Sequence, residues 1–184
     1  MAIRIHYNAP VVLTFSLLAI AVVVLSATLM PRLNLQYFAA GGGMNWSSVG
    51  DWFRLFSHVL GHGGWSQLAA QLPFILLLGP LLETRYGSGR MLLLILVTAL
   101  ATGLINLLLF RTGLMGADGV VLMLILLSAM ADVRAGSLPL SFLLLAVIFL
   151  GHEVMLILRD GSLAQLAQLL GGLIGAGTGL VLRR

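Results

Sequence analysis

The sequence predicts an all-α membrane protein, folded as one bundle of six transmembrane helices with a long first loop. Hydrophobic residues make up 60% of its 184 residues, and only 9% are charged, whereas soluble domains are about a quarter charged. Six apolar runs also approach the roughly 20 residues that a helix needs to cross a bilayer. Because a helix satisfies its own backbone hydrogen bonds, helices are the expected form of these runs in lipid.

The six runs account for most of the chain and leave no room for a second domain, so residues 1–184 are predicted to be one domain. The runs cover residues 11–30, 64–82, 91–110, 114–131, 138–158 and 163–182. The first run is followed by no small-residue cleavage site and is too long for a signal-peptide core, so we expect it to be retained.

Residues 31–63 form the long first loop, which is rich in aromatic side chains. They include Tyr37, Phe38, Trp46, Trp52 and Phe53, beside three consecutive glycines at 41–43. Aromatic rings are enriched at the membrane–water boundary. We therefore expect this loop to lie in the headgroup layer, with Trp52 and Arg54 anchoring it there.

The charged and sulfur-containing residues exclude several classes of chemistry. The chain has no cysteine, which excludes disulfides, thiol catalysis and cysteine-ligated zinc. All ten basic residues are arginines, which excludes lysine chemistry. The net charge of +4 is spread over loops, so it favours anionic lipid headgroups over nucleic acid as a partner. Neither a cofactor nor a metal ion is expected.

Arginine placement predicts the orientation in the membrane. With the N-terminus inside, six arginines fall on the inner side and four on the outer side, which favours cytoplasmic termini. The inner set is Arg4, Arg85, Arg90, Arg134, Arg183 and Arg184, and the outer set is Arg32, Arg54, Arg111 and Arg159. The compact form and the lack of a targeting extension point to a bacterial inner membrane.

The sixth run contains Gly171, Gly175 and Gly179 at a spacing of four. This spacing places them on one face of a helix, where small residues let another backbone approach closely. Ordinary helix packing explains such a face. The alternative is that this helix is pressed against a specific neighbour to align a site.

Polar side chains within membrane helices are costly, so each one is a candidate functional residue. The runs contain Gln67, Gln71, Asn106, Asp118, His152, Glu153, Gln165 and Gln168. His152 and Glu153 are expected near the membrane surface in a structural role, with pH sensing as the lesser alternative.

Three chemistries fit these residues poorly. His58 and His62 are four apart but lack the glutamate of a zinc-protease motif. An aspartyl protease requires two paired carboxylates, and the sequence offers no evident second carboxylate to pair with Asp118. A transporter could use helix breaks at Pro73 and Pro80, but no pseudo-symmetric partner segment exists.

Nucleophilic catalysis by serine and histidine is suggested instead by three segments. They are FRLFSHVLGHGGWSQLAAQLPFILLLGPLLETRYGS at 53–88, LMGADGV at 114–120 and AQLLGGLIG at 167–175. Their order and spacing resemble the rhomboid intramembrane serine proteases over about residues 50–182. Family features here are an aromatic–arginine pair, a histidine-rich stretch, a G-x-x-x-E at Gly79 and Glu83, and a following Gly87-Ser88. The resemblance implies a scaffolding role for Glu83 and Arg85.

The resemblance implies a Ser–His dyad that attacks a peptide bond of a transmembrane substrate. Here the nucleophile position after Gly116 holds Asp118, and the position of the base holds Gln168. The two positions that help bind the oxyanion hold Gln67 and Gln71 in place of the family's histidine and asparagine. His58 and His62 are retained, with His62 a candidate binding residue, but neither corresponds to the base.

A glutamine amide cannot accept the proton of a nucleophile, and a carboxylate attacks amides poorly. We therefore expect a rhomboid-like protein that is proteolytically inactive and binds transmembrane helices of client proteins. The alternative is an active intramembrane endopeptidase, or an inactivated copy of one. An unrelated channel or transporter is less favoured.

Two interactions could hold Asp118. Gln168 could donate its amide to the carboxylate and so replace the dyad contact between the fourth and sixth helices. Alternatively, Asp118 could cap the start of the fourth helix, where aspartate is favoured.

Overall fold

The computed structural model of the chain describes residues 7–41, 43–133, 139–161 and 163–182. Its α-helices are α1 (Pro10–Thr28), α2 (Leu33–Tyr37), α3 (Val49–Ser57), α4 (Trp65–Tyr86), α5 (Ser88–Ile105), α6 (Asp118–Val133), α7 (Leu140–Asp160) and α8 (Ala164–Leu182). A 3₁₀ turn, His58–Leu60, follows α3, and a π-helical turn, Asn106–Phe110, extends α5. An isolated backbone pairing joins Ala40 to Leu114.

Five helical segments are long and apolar enough to cross a membrane. They are Pro10–Thr28, Trp65–Tyr86, Ser88–Phe110, Leu140–Arg159 and Ala164–Leu182. The apolar part of α6, Asp118–Met130, is shorter. The prediction of an all-helical integral membrane protein is thus confirmed. Of the arginines used for orientation, Arg4, Arg134, Arg183 and Arg184 lie outside the described residues, as does Leu138 at the start of the fifth run.

Helix α6 lies at the centre of the bundle, packed against α5 and α8. Its residues 118–125 are all buried, and Val121, Met123 and Ile125 have no exposed surface. Protein thus covers the sides of this shorter helix. The start of α6 consequently lies inside the bundle.

The glycines of α8 bring it against α5 and α6. A side chain at Gly171 would collide with Thr102, and one at Gly175 would collide with Thr98. One at Gly172 would meet the Gly119 carbonyl oxygen at 2.7 Å. Close approach of α8 therefore reaches the first turn of α6 and the residues around Asp118.

Helix α4 runs without interruption through Pro73 and Pro80, so the helix break that a transporter would use is not made there. Near its end, the buried carboxylate of Glu83 accepts hydrogen bonds from the backbone nitrogens of Val11 (3.0 Å) and Val12 (2.9 Å). Ser88 donates its hydroxyl to the same carboxylate (2.7 Å). Glu83 thereby caps α1, which lacks a side-chain cap of its own, and joins the ends of three helices.

Helix α3 forms a small polar and aromatic surface. Arg54 forms an ion pair with Asp51 and donates to the Gln36 carbonyl oxygen (3.4 Å). The half-exposed Trp52 donates from Nε1 to the Trp46 carbonyl oxygen (3.1 Å), and the two rings meet edge to face. These contacts join α3 to the chain on either side of residue 42.

Candidate functional site

The candidate site surrounds the backbone turn 115–119, which leads into α6. Helix α4 contributes Gln67 and Gln71, α8 contributes Gln168, and the turn contributes Gly116 and Asp118. The structure thus brings together the five residues that the sequence analysis placed at catalytic positions. Gln71, Asp118 and Gln168 are buried, and Gln67 is half-buried.

Gln71 is the centre of the hydrogen-bond network. Its Nε2 donates to Asp118 Oδ1 at 2.5 Å. Its Oε1 accepts from the Ala117 backbone nitrogen (2.8 Å) and lies 3.0 Å from His62 Nε2. Because a backbone N–H can only donate, the Ala117 contact fixes which end of the amide is oxygen. His62 Nε2 must then carry the hydrogen of its own contact.

His62 is fully buried and belongs to this network rather than to a separate binding surface. Its Nδ1 lies 3.1 Å from the Leu60 carbonyl oxygen. Burial lowers the pKa of His62, against the opposing influence of its contacts to Leu60 and Gln71. A neutral ring carries one N–H, and the Gln71 contact places it on Nε2. The ring therefore acts here as a hydrogen-bond donor that orients Gln71.

The turn itself is held by the other glutamines. Gln67 Nε2 and Gln168 Nε2 both donate to the Met115 carbonyl oxygen, at 3.3 and 3.4 Å. Gln168 Oε1 accepts from the Gly119 backbone nitrogen (3.3 Å), and Gln67 Oε1 accepts from that of Gly63 (2.8 Å). The amides are thus occupied by the protein's own backbone.

Gly116 is required by the geometry of the turn. Its φ of +115° lies in a region that side chains strongly disfavour. A Cβ there would also collide with Gln67 and lie 3.2 Å from Asp118 Oδ2 and 3.3 Å from Gln71 Nε2. Glycine lets the backbone pass directly beneath these three polar groups.

The surroundings of Asp118 include one expected interaction and one that was not expected. Val121 donates its backbone nitrogen to the Ala117 carbonyl oxygen (2.8 Å), so Ala117 is the cap residue and Asp118 begins the helix. Gln168 also forms a side-chain hydrogen bond to the carboxylate, as the first alternative expected. The shortest hydrogen bond to Asp118 comes from Gln71, which neither alternative included.

Glu153 is a residue that the sequence analysis did not bring to the site. Most of α7 is exposed, yet Glu153 and Phe149, four residues apart, are buried. Phe149 packs edge to face against Phe74 of α4, which lies three residues beyond Gln71. Glu153 lies one helical turn from this ring contact on α7, as Gln71 does on α4. Glu153 and Asp118 are close enough for their charges to interact.

The contacts of Glu153 are few. One carboxylate oxygen lies 3.4 Å from His152 Nδ1, and Oε2 has no hydrogen-bond partner among the described residues. The spacing of Phe149 and Glu153 was the available signal, because it places both on one face of the helix. The sequence analysis instead read Glu153 with its neighbour His152 as a pair near the membrane surface.

Of the other predicted residues, Trp52, Arg54 and Glu83 lie away from Asp118, whereas Gly171 is about one helical turn from Gln168 on α8. Trp52 and Arg54 are on α3, Glu83 is at the far end of α4, and Gly171 and Gly175 form the contact of α8 with α5. In the described part of the chain, no three histidine, aspartate or glutamate side chains are grouped so as to hold a metal ion.

A family model for the Rhomboid domain matches residues 49–184. No curated protein sequence gave a significant match. The matched region begins at the first residue of α3 and includes α4, α6 and α8, which supply every side chain of the network around Asp118 except His62, itself within the match. The family match covers well over half of the chain and agrees with the membrane-spanning helical architecture, and the chain therefore belongs to the rhomboid family.

Proposed function

We propose that this chain is a rhomboid-like intramembrane protein that binds transmembrane helices of client proteins without cleaving them. One observation carries the proposal. The four positions that supply the chemistry of the family hold Asp118, Gln168, Gln67 and Gln71. Gln71 is hydrogen-bonded to Asp118, and all three glutamines are hydrogen-bonded to the 115–119 backbone.

The chemistry of these side chains supports inactivity. Gln168 has no basic nitrogen with which to activate a nucleophile. The amide nitrogens of Gln67 and Gln168 already donate to the Met115 carbonyl oxygen. Stabilising a developing oxyanion requires donors aimed at the reacting atom, and one N–H of each of these two amides is aimed at the protein's own backbone instead.

The proposal includes six membrane spans, with α6 as the fourth, and with both termini in the cytoplasm of a bacterial cell. Helix α6 supports it because full-length spans pack on its sides. We further propose that residues 31–63 lie at the membrane surface, where the exposed Trp46 and Trp52 suit the headgroup layer.

A cleavage assay in liposomes with a labelled transmembrane substrate tests the proposal. The chain as it stands is compared with a variant carrying Asp118→Ser, Gln168→His, Gln67→His and Gln71→Asn. We expect cleavage only by the fourfold variant. The matched control carries Asp118→Ser alone and should stay inactive, because its hydroxyl lacks a base.

A second candidate function is peptide hydrolysis by a pair of carboxylates. The observation that favours it is the electrostatic interaction between Glu153 and Asp118, since a pair of carboxylates can activate water. Cleavage by the unmodified chain that is lost in both Asp118→Asn and Glu153→Gln would establish this function and overturn the proposed inactivity. Photo-crosslinking of the unmodified chain to an intact transmembrane helix would support the client-binding role.

A further inference from the structure

A large apolar cavity lies away from the site, between α1, α3 with its following turn, and α5. Its volume is about 450 Å³, within the range of about 300–1,000 Å³ that small-molecule sites occupy. Its walls include Phe15 and Leu18 of α1, Phe53 and Phe56 of α3, and Ile95 and Leu96 of α5.

The wall offers nothing to a polar ligand. None of its residues is charged, and apart from backbone its polar groups are the hydroxyls of Thr14 and Ser57. Thr14 Oγ1 is paired with the Tyr7 hydroxyl (2.8 Å), and Ser57 donates to the Tyr37 carbonyl oxygen (2.6 Å). A sugar, nucleotide or peptide backbone would lose its hydration here without gaining a partner.

The cavity is continuous with the surface that faces lipid. Leu18, Leu92 and Leu96 line it and are also 40–48% exposed on α1 and α5, two of the helices suited to span the membrane. Apolar cavities exclude water, and an unfilled one forfeits the dispersion contacts of its lining. Since the cavity opens between membrane helices, the hydrocarbon of the bilayer is the apolar material available to fill it.

We propose that this cavity is a binding site for one acyl chain of a bilayer phospholipid. The bound chain packs beneath α3 and the His58–Leu60 turn, whose Val59 and Leu60 also line the cavity. That turn leads to His62, which orients Gln71. The lipid therefore supports the segment on which the network around Asp118 rests.

Native mass spectrometry of the full chain, extracted by mild detergent from vesicles of phosphatidylethanolamine and phosphatidylglycerol, tests the proposal. Ile95→Trp places a large ring in the cavity, and Leu93→Trp is the control on the lipid-facing side of the same helix, outside the lining. We expect the unmodified chain and Leu93→Trp to retain a phospholipid and Ile95→Trp to lose it.

Thermal unfolding in detergent gives a second readout. Added phospholipid should raise the melting temperature of the unmodified chain and of Leu93→Trp, but not that of Ile95→Trp. Leu18→Trp, with Leu17→Trp as its control on α1, repeats the comparison if Ile95→Trp does not fold. Equal lipid retention by cavity and control variants overturns the proposal, and so does occupancy by detergent or free fatty acid alone.

Discussion

At the scale of single residues, Gln71 determines the geometry of the site. It joins α4 to the turn before α6 through Asp118 and Ala117, and to His62 through its oxygen. The sequence predicted that Gln71 and Asp118 belong to one site, through the family motifs. The direct bond between them was not predicted, because motif spacing places residues on helices without specifying which amide reaches which acceptor.

Replacing Gln71 by leucine should destabilise the protein by about 2–3 kcal/mol, because buried partners lose their hydrogen bonds at roughly 1–3 kcal/mol each when left unsatisfied. Gln67→Leu is the control, since Gln67 is half-buried and its contacts are to backbone alone. It should cost less. Unfolding in mixed detergent–SDS micelles measures both, and an equal cost would refute the central role of Gln71.

His58 should make stability depend on pH. It lies between α3 and α4, outside the candidate spans, and burial lowers its pKa from 6.5 to about 4. The unfolded chain therefore binds more protons than the folded chain between these values. The contribution of His58 to stability should be fully present above pH 6.5 and should be lost as the pH falls toward 4.

Unfolding titrations across this pH range test the effect of His58. His58→Gln keeps an amide donor for the Ala99 carbonyl oxygen, 3.0 Å from His58 Nε2, but removes the titrating ring, so its stability should fall less steeply. His62 contributes in the same direction and leaves a residual slope. An unchanged slope in His58→Gln would contradict the prediction.

At the scale of helices, apolar runs predicted which segments are helical better than where each one begins and ends. Helix α5 starts at Ser88, before the apolar run that begins at residue 91. Its first turn is hydrogen-bonded as a helix but is polar, so hydropathy does not include it. It ends in a π-helical turn at Asn106, whose side chain bonds Thr112 twice. Hydropathy reports contact with lipid, and it contains no information on such side-chain bonds.

Gly175→Ala should separate α8 from α5. The new methyl group would collide with Thr98 and lie 3.3 Å from Met123 Cγ, and overpacking costs about 1–3 kcal/mol. Gly177→Ala is the matched control in the same helix, with no neighbouring atom within 4 Å of a Cβ. It should stabilise the protein slightly, by up to about 1 kcal/mol, through helix propensity. Unfolding measurements that rank the two variants in the opposite order would refute close packing at Gly175.

At the scale of the whole molecule, composition was enough to predict a helical membrane protein. The number of spans could not be predicted from composition alone, because α6 is buried by its neighbours and is shorter than the other apolar helices. The approach of Glu153 to Asp118 was also beyond the sequence, since it depends on how α7 packs against α4 and α6. In the sequence, the sign of this long-range packing is the four-residue spacing of Phe149 and Glu153.

Single cysteines can test the proposed orientation, because the chain contains none of its own. We expect a membrane-impermeant maleimide to label Ser47→Cys, before α3, from outside intact bacterial cells. Gly89→Cys, in the first turn of α5, should be labelled only after the inner membrane is opened. Both positions are exposed and lie on described residues. Labelling of Gly89→Cys in intact cells would reverse the orientation.

The occupied amides around residues 115–119 have a consequence for any helix that docks there. A docking segment gains little by displacing a hydrogen bond already made there, because one hydrogen bond is exchanged for another. Unwinding a turn of its own helix would meanwhile sacrifice cooperative structure. A client of the proposed kind should therefore keep its helix intact beside Asp118, and the shapes of its side chains, rather than its readiness to unravel, should decide whether it is held.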